Sequence, residues 1–237
     1  MNFSQDQLDA IDGICDALQL HLISYTHKIA VLTGSAGTGK TTVIGEIIDR
    51  AKDINDMIPI ALCASTHRAA RVLADTVVLI GKDQTTTAHK LFKLRPTVNA
   101  SGKELITSSG SCKIKPGSLV IIDEASMIGN SFLKAIVDIV KKKNLKLLFV
   151  GDNYQLPPPK DKCCIFDGSL PTFTLTTIHR QLKDNPILAK ATEFREYIKG
   201  NISVEPTLES LVNTNGNGIH VLPHTDFVSK FVSKYMN

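Results

Sequence analysis

The sequence contains no C-x-x-C pair, and its five cysteines, Cys15, Cys63, Cys112, Cys163 and Cys164, are odd in number and scattered. That pattern argues against a disulfide framework or a zinc site and for a reducing compartment. Long apolar runs are also missing: none approaches the roughly 20 residues needed to span a bilayer. The opening MNFSQDQLDA lacks the basic and apolar regions of a signal peptide. There is no internal repeat and no low-complexity tract. Excess charge is small, a net +4 with a pI near 8.7, which is compatible with a nucleic-acid partner without demonstrating one. What is there is 237 residues, 43% hydrophobic and 21% charged. This fits an intracellular, soluble α/β protein of one large or two small domains, with no membrane partner.

Leu8, Ile11, Cys15, Leu18 and Leu22 recur at helical spacing and predict a first helix over 5–23. KIAVLT (28–33), IALCAS (60–65), SLVIID (118–123) and LKLLFVGD (145–152) read as buried strands. They alternate with helices over Thr41–Ala51, His67–Leu79 and Ser131–Lys142. Such alternation predicts a mostly parallel sheet with right-handed crossovers and helices on both faces. Residues 93–117, rich in Gly, Ser, Lys and Pro, are a small inserted hairpin or lobe, or a long loop. Residues 200–218 read as irregular, followed by a strand at Ile219–Leu222 and a helix over Asp226–Tyr235.

GSAGTGKTT (34–42) matches G-x-x-x-x-G-K-[ST] between a strand and a helix, the context that separates a P-loop from a chance match. Gly34, Gly37 and Gly39 let backbone N–H groups turn toward phosphate, beside the helix N-terminus. Gly37 to Thr42, including Thr38, would hold ATP, with Lys40 on the β- and γ-phosphates and the Thr41 hydroxyl on Mg²⁺. LVIIDEAS (119–126) delivers two carboxylates at a strand's carboxyl end. Asp123 would hold Mg²⁺ and Glu124 would polarise the attacking water. GDNYQLPPP (151–159) leaves the next strand as a loop stiffened by three prolines. That loop presents Gln155 toward the γ-phosphate end, where it would act as a sensor.

FSQDQLDAI, GSAGTGKTT, ASTHRAA, TTTAHKLF, IIDEASM, GDNYQLPPP and LTTIHRQ occur in the order of the motifs of superfamily-one DNA helicases. The chain resembles most the branch containing RecD and the phage Dda helicase, through nearly its whole length. The resemblance implies a RecA-like P-loop NTPase fold, with 1–92 and 118–237 as the first motor lobe and 93–117 as its insert. It implies that Gln7 reads the adenine edge, that Thr66, His67, Thr87 and His89 grip single-stranded DNA, and that Arg180 reaches the γ-phosphate. Taken without the family pattern, Gln7 reads equally as a solvated residue at a helix start, the histidines as packed or capping residues, and Arg180 as a surface ion-pair residue.

The family needs two RecA-like lobes, and no second set of motifs follows here, so the chain is expected to be the N-terminal motor portion of a longer helicase. ATP and Mg²⁺ are the cofactors so implied. The implied partners are single-stranded or forked duplex DNA and replication or recombination proteins, in the cytoplasm of a bacterial or phage-infected cell, with 5′-to-3′ travel. Two other classes share the P-loop: a nucleotide-gated single-stranded DNA-binding module, and a P-loop kinase. The adjacent Glu124 and the absence of an Arg-rich lid count against the kinase. The insert is poor in aromatics, with Phe92 at its edge, which weakens a strand-splitting role for it.

Overall fold

Four short apolar runs dictate the architecture, because strands buried on both faces carry nearly continuous hydrophobic sequence. The computed structural model describes residues 3–21, 26–76, 85–98, 104–155, 157–158, 161–179, 186–206, 211–212 and 218–219. In chain order the elements are α1 (Gln5–Ala17), β1 (Lys28–Gly34), α2 (Lys40–Ile54), β2 (Ile60–Ala64), α3 (His67–Thr76), β3 (Thr86–Thr87) and α4 (Ala88–Phe92). There follow β4 (Leu94–Val98), β5 (Glu104–Ser108), β6 (Leu119–Asp123), α5 (Asn130–Lys143), β7 (Lys146–Gly151), β8 (Thr172–Leu175), α6 (Pro186–Ile198), β9 (Leu211–Val212) and β10 (Gly218–Ile219). A 3₁₀ turn, Ala125–Met127, follows β6. Among the described residues no helix is long and apolar enough to cross a membrane.

One parallel sheet, ordered β3-β2-β6-β7-β1-β8, organises the unit Met1–His179. Side chains alternate across it with period two. Ala30, Leu32, Leu119, Ile121, Leu148 and Val150 pack against Ile11 and Ile14 of α1 and Ile44, Ile47 and Ile48 of α2. Val31, Val120, Ile122, Leu147 and Phe149 pack on the other face against Phe132, Ile136 and Val140 of α5 and Phe92 of α4. Each fully buried Val, Leu, Ile or Phe side chain among them contributes roughly 1.5–3 kcal/mol relative to exposure. Residues 94–108 form an antiparallel hairpin of β4 and β5 within the insert.

The helices stop where their chemistry requires. Asn144 takes a left-handed conformation (φ 52°), and the Leu145 N–H bonds back to the Val140 carbonyl, closing α5. At the other end of α5 the N-cap position is Gly129, which offers no side chain. Asp161 accepts from the Ser131 N–H at 3.2 Å, and the Lys162 carbonyl from the Asn130 N–H at 3.0 Å. A segment thirty residues downstream thus supplies the cap.

Three strands were not anticipated from sequence, among them β9, which falls in the stretch 200–218 expected to be irregular. β8 is a polar edge strand beside β1, and β3 is two residues long. The first helix ends at Ala17 rather than 23: Gln19 turns left-handed (φ 51°), and the buried Lys146 Nζ donates to its carbonyl. Residues 22–25, 77–84 and 220–237, on which parts of the expected helices and strands fall, lie outside the described residues. In the unit Arg180–Asn237, α6 packs near the antiparallel pair β9–β10, and Asn201 Nδ2 donates to Glu196 at 2.6 Å beyond the helix end.

Candidate nucleotide site and nucleic-acid grip

β1, β2, β6, β7 and β8 all run parallel, so the residues that follow them gather at one edge of the sheet. After β1 the chain turns through Gly37 (φ 86°) and Gly39 (φ 82°), left-handed conformations that glycine adopts without strain. Gly39 is also the N-cap of α2, so the first N–H groups of that helix are left without a side-chain cap, as an anion site requires. Thr38 is buried, and its Oγ1 donates to the Ser35 carbonyl at 2.9 Å. Lys40 Nζ donates to the carbonyls of Gly34 (2.7 Å) and Ser35 (3.0 Å), holding its ammonium over the turn. Thr41 is half-buried and Thr42 exposed in the first turn of α2.

Asp123 ends β6 opposite Ala64, and its Oδ1 accepts the Glu124 N–H at 2.8 Å. Glu124 is left-handed at φ 55°, a strained setting for a side chain of this size. Burial pushes the Asp123 carboxyl up, opposed by the Glu124 N–H and by the charge of Lys40. Burial also raises Glu124, helped by the charges of Asp123 and Asp152 and opposed by Lys40. Lys40 therefore acts electrostatically on both carboxylates. A cavity of about 680 Å³ opens beside them, lined by Asp123, Glu124, Met127, Gln155 and the start of α3. Gln155 is exposed, with its N–H on the Asp152 carbonyl at 3.1 Å.

Gln7 is buried, not solvated. Its Oε1 accepts the Ser4 N–H (3.1 Å), half of a capping box, while Nε2 donates to the Thr38 carbonyl (3.0 Å). Each amide atom keeps one further bonding capacity. Two neighbours escaped sequence reasoning. Asp6 accepts the N–H groups of Thr176 and Thr177, each at 2.9 Å, and the Ser4 hydroxyl. Burial disfavours its carboxylate, but the bonds from Ser4, Thr177 and Thr176 outweigh that and hold it well below the usual carboxylate range. His179 reaches the Gly37 carbonyl through its N–H (2.9 Å) and Ser4 Oγ through Nε2 (3.1 Å). No local signal marks either residue, because their partners lie far away in sequence. Arg180 lies outside the described residues.

The four residues expected to grip DNA differ in setting. Thr66 and His67 are exposed at the start of α3, where Thr66 Oγ1 accepts the Ala69 N–H at 3.1 Å. Arg68, exposed beside them and lining the 680 Å³ cavity, was not singled out from sequence. Thr87 is turned inward and caps α4, accepting the Lys90 N–H at 3.4 Å. His89 is half-buried and stacks on Phe132, ring centroids 3.9 Å apart and 8° from parallel.

Burial lowers the pKa of His89 from its usual 6.5. The folded protein therefore favours the neutral ring. Its contribution to stability is intact above the unfolded value and is lost as pH falls through that value toward the folded one. Thermal unfolding at pH 7.5 and 5.5 checks this: acidification should lower the parental Tm more than that of His89→Phe, which keeps the stack without titrating.

The AAA domain family matches residues 6–202. The ATP-dependent RecD2 DNA helicase of Deinococcus radiodurans is 31% identical over 167 residues, covering 70% of this chain and 21% of that protein. The ATP-dependent DNA helicase RRM3 of Saccharomyces cerevisiae is 28% identical over 204 residues, covering 76% of this chain and 26% of that protein. The Pif1 helicase structure from Candida albicans superimposes with a TM-score of 0.54 at 21% identity, covering 83% of this chain and 44% of that chain, a likeness of fold. The chain thus spans less than a third of these two curated relatives. It belongs to the AAA domain family, and its likeness within that family is to the N-terminal motor portion of RecD-like superfamily-one helicases.

Proposed function

We propose that this chain carries the ATP-binding motor site of an ATP-dependent DNA helicase that travels on single-stranded DNA, 5′ to 3′, and separates duplex. The observation that supports the reading is the left-handed turn through Gly37 and Gly39 onto the uncapped start of α2, with Lys40 held over it, at the same sheet edge as Asp123 and Glu124. A lysine over a glycine turn at a helix start, with two consecutive carboxylates at the same edge of the sheet, is the equipment for triphosphate hydrolysis.

ATP lies on Gly37–Thr42 in this reading, with Gln7 at the adenine edge. The residues present fit Mg²⁺: Asp123 supplies a hard carboxylate oxygen whose burial a cation offsets, and Thr41 a hydroxyl at the first turn of α2. When bound, the ion neutralises charge on the phosphate oxygens. Glu124 accepts a hydrogen bond from the attacking water, Gln155 senses the γ-phosphate from across the cavity, and Arg180 stabilises its developing charge. In this reading Thr66 and His67, exposed at a helix start, together with Thr87 and His89, grip the backbone of one DNA strand. In this reading its protein partners are replication or recombination proteins, in the cytoplasm.

Phosphate release from ATP, measured with and without a single-stranded oligonucleotide, tests the proposal. Release should rise with the oligonucleotide. The rise should shrink at high salt, as expected when phosphate contacts dominate, and His67→Ala should weaken oligonucleotide binding while leaving ATP affinity unchanged. Nucleotide and DNA binding without hydrolysis would instead mark a nucleotide-gated binding module. Transfer of phosphate to an acceptor other than water would mark a kinase.

A further inference from the structure

The N-terminal turn of α1 and the chain leaving β8 meet over the P-loop, although about 170 residues separate them in sequence. We propose that Asp6 is a positioning residue of the nucleotide site, whose carboxylate ties Thr176 and Thr177 to α1 and, through Ser4, orients the His179 imidazole beside the P-loop. The inference rests on the nucleotide-site reading above.

The hydrogen-bond directions are fixed by counting protons. Asp6 Oδ2 accepts the N–H groups of Thr176 and Thr177, both at 2.9 Å, and the Thr176 hydroxyl at 3.4 Å. Oδ1 takes the one proton of the Ser4 hydroxyl. Ser4 Oγ, having given its proton away, can only accept from His179 Nε2 at 3.1 Å. The imidazole must therefore carry hydrogen on Nε2, and when neutral it leaves the lone pair on Nδ1. An isolated Ser–His contact would leave the tautomer open, and the Asp6 carboxylate closes it.

The same carboxylate governs backbone placement. Beyond Leu175 the ladder between β8 and β1 ends, so the N–H groups of Thr176 and Thr177 have lost their strand partner, and Asp6 takes both. Two residues on, the His179 N–H reaches the Gly37 carbonyl, and Gln7, the residue after Asp6, reaches the Thr38 carbonyl. Successive P-loop carbonyls are thus held from the two segments that Asp6 joins. An acidic residue in a first helical turn ordinarily serves its own helix dipole. This one bonds another segment, ending at the residue that precedes Arg180 in the chain.

A double-mutant cycle separates positioning from mere stabilisation. Affinity for a fluorescent ATP analogue with Mg²⁺ is measured for the parent, Asp6→Asn, His179→Ala and the pair, with thermal unfolding in parallel. Each single change should weaken binding about tenfold, the scale of one lost charge-assisted hydrogen bond, and the pair should weaken it no further than the stronger single change. Parental affinity in Asp6→Asn, or losses that multiply in the pair, would overturn the assignment. Should Asp6→Asn fail to fold, Ser4→Ala cuts the link to His179 while sparing the Asp6 backbone bonds, and the same non-additivity with His179→Ala is expected. Lys40→Ala is the control. If it binds nucleotide like the parent, the nucleotide-site reading is what fails. If it loses binding while Asp6→Asn keeps it, only the positioning role falls.

Discussion

Glu124→Gln should bind ATP at least as well as the parent and hydrolyse it about 10²–10⁴-fold more slowly, the usual contribution of a general base. The amide has the same shape, so it keeps the left-handed backbone at φ 55° and the wall of the cavity beside Asp123. What it loses is the strong acceptor that a polarised water needs. Removing a negative charge from a site meant for a triphosphate leaves binding intact or improved. Lys40→Ala should do the reverse, losing binding first, because the ammonium acts on the bound ground state.

A second readout comes from the apoprotein. The folded Glu124 carboxyl lies above its usual range, chiefly because of burial and the neighbouring Asp123. A raised carboxylate contributes stability that is complete below the unfolded pKa and is lost as pH rises through the folded one. At pH values above the folded pKa the carboxylate is therefore a burden on folding, and Glu124→Gln should raise Tm by a few degrees there, with the gap closing on acidification. Parental hydrolysis in Glu124→Gln would remove this residue from the chemistry.

How far the sequence could be read depended on the range of each interaction. β1, β2, β6 and β7 announce themselves because both their faces are buried, so each is an unbroken apolar run ending in a motif. β8, with TFTL alternately exposed at the sheet edge, has no such run, although its exit carries Thr176 to Asp6 and His179 to the P-loop. The P-loop and the Asp123–Glu124 pair were legible because their chemistry is local in sequence. Without the family pattern, Gln7 was legible only as a helix-start polar residue. Its burial against the Thr38 carbonyl joins positions 31 apart, and no periodicity reports that. The histidines show the same limit. His67 and His89 sit alike in their motifs, yet one is exposed at the start of α3 and the other lies flat on Phe132, forty-three residues downstream. Side-chain direction at those positions is set by what the fold brings alongside.

The P-loop and α1 are locked together at Gly39, and a single added methyl group there should undo both. Gly39 stands at φ 82°, where an L-residue with a Cβ is strained by roughly 1–2 kcal/mol. Space is the larger difficulty. A Cβ at Gly39 would fall on the amide nitrogen of Gln7, the atom that donates to the Thr38 carbonyl. Gln7 cannot simply swing aside, because its Oε1 holds the Ser4 N–H and its side chain is packed away from solvent. Either Gln7 leaves, stranding the Thr38 carbonyl, or the turn opens and the N–H groups of α2 no longer converge on a phosphate. Both routes damage nucleotide binding, whereas Gly45→Ala, at a helical glycine with open space around it, should leave binding unchanged. Titration with a fluorescent ATP analogue should show Gly39→Ala weakened by about thirtyfold or more, with Tm lower by several degrees, as expected for a loss of roughly 2 kcal/mol or more. Gln7→Ala in the same background decides between the two routes. If the clash with Gln7 dominates, the double variant recovers part of the lost affinity, and if backbone strain dominates it recovers none. Parental binding by Gly39→Ala would mean that the turn does not hold phosphate in this conformation.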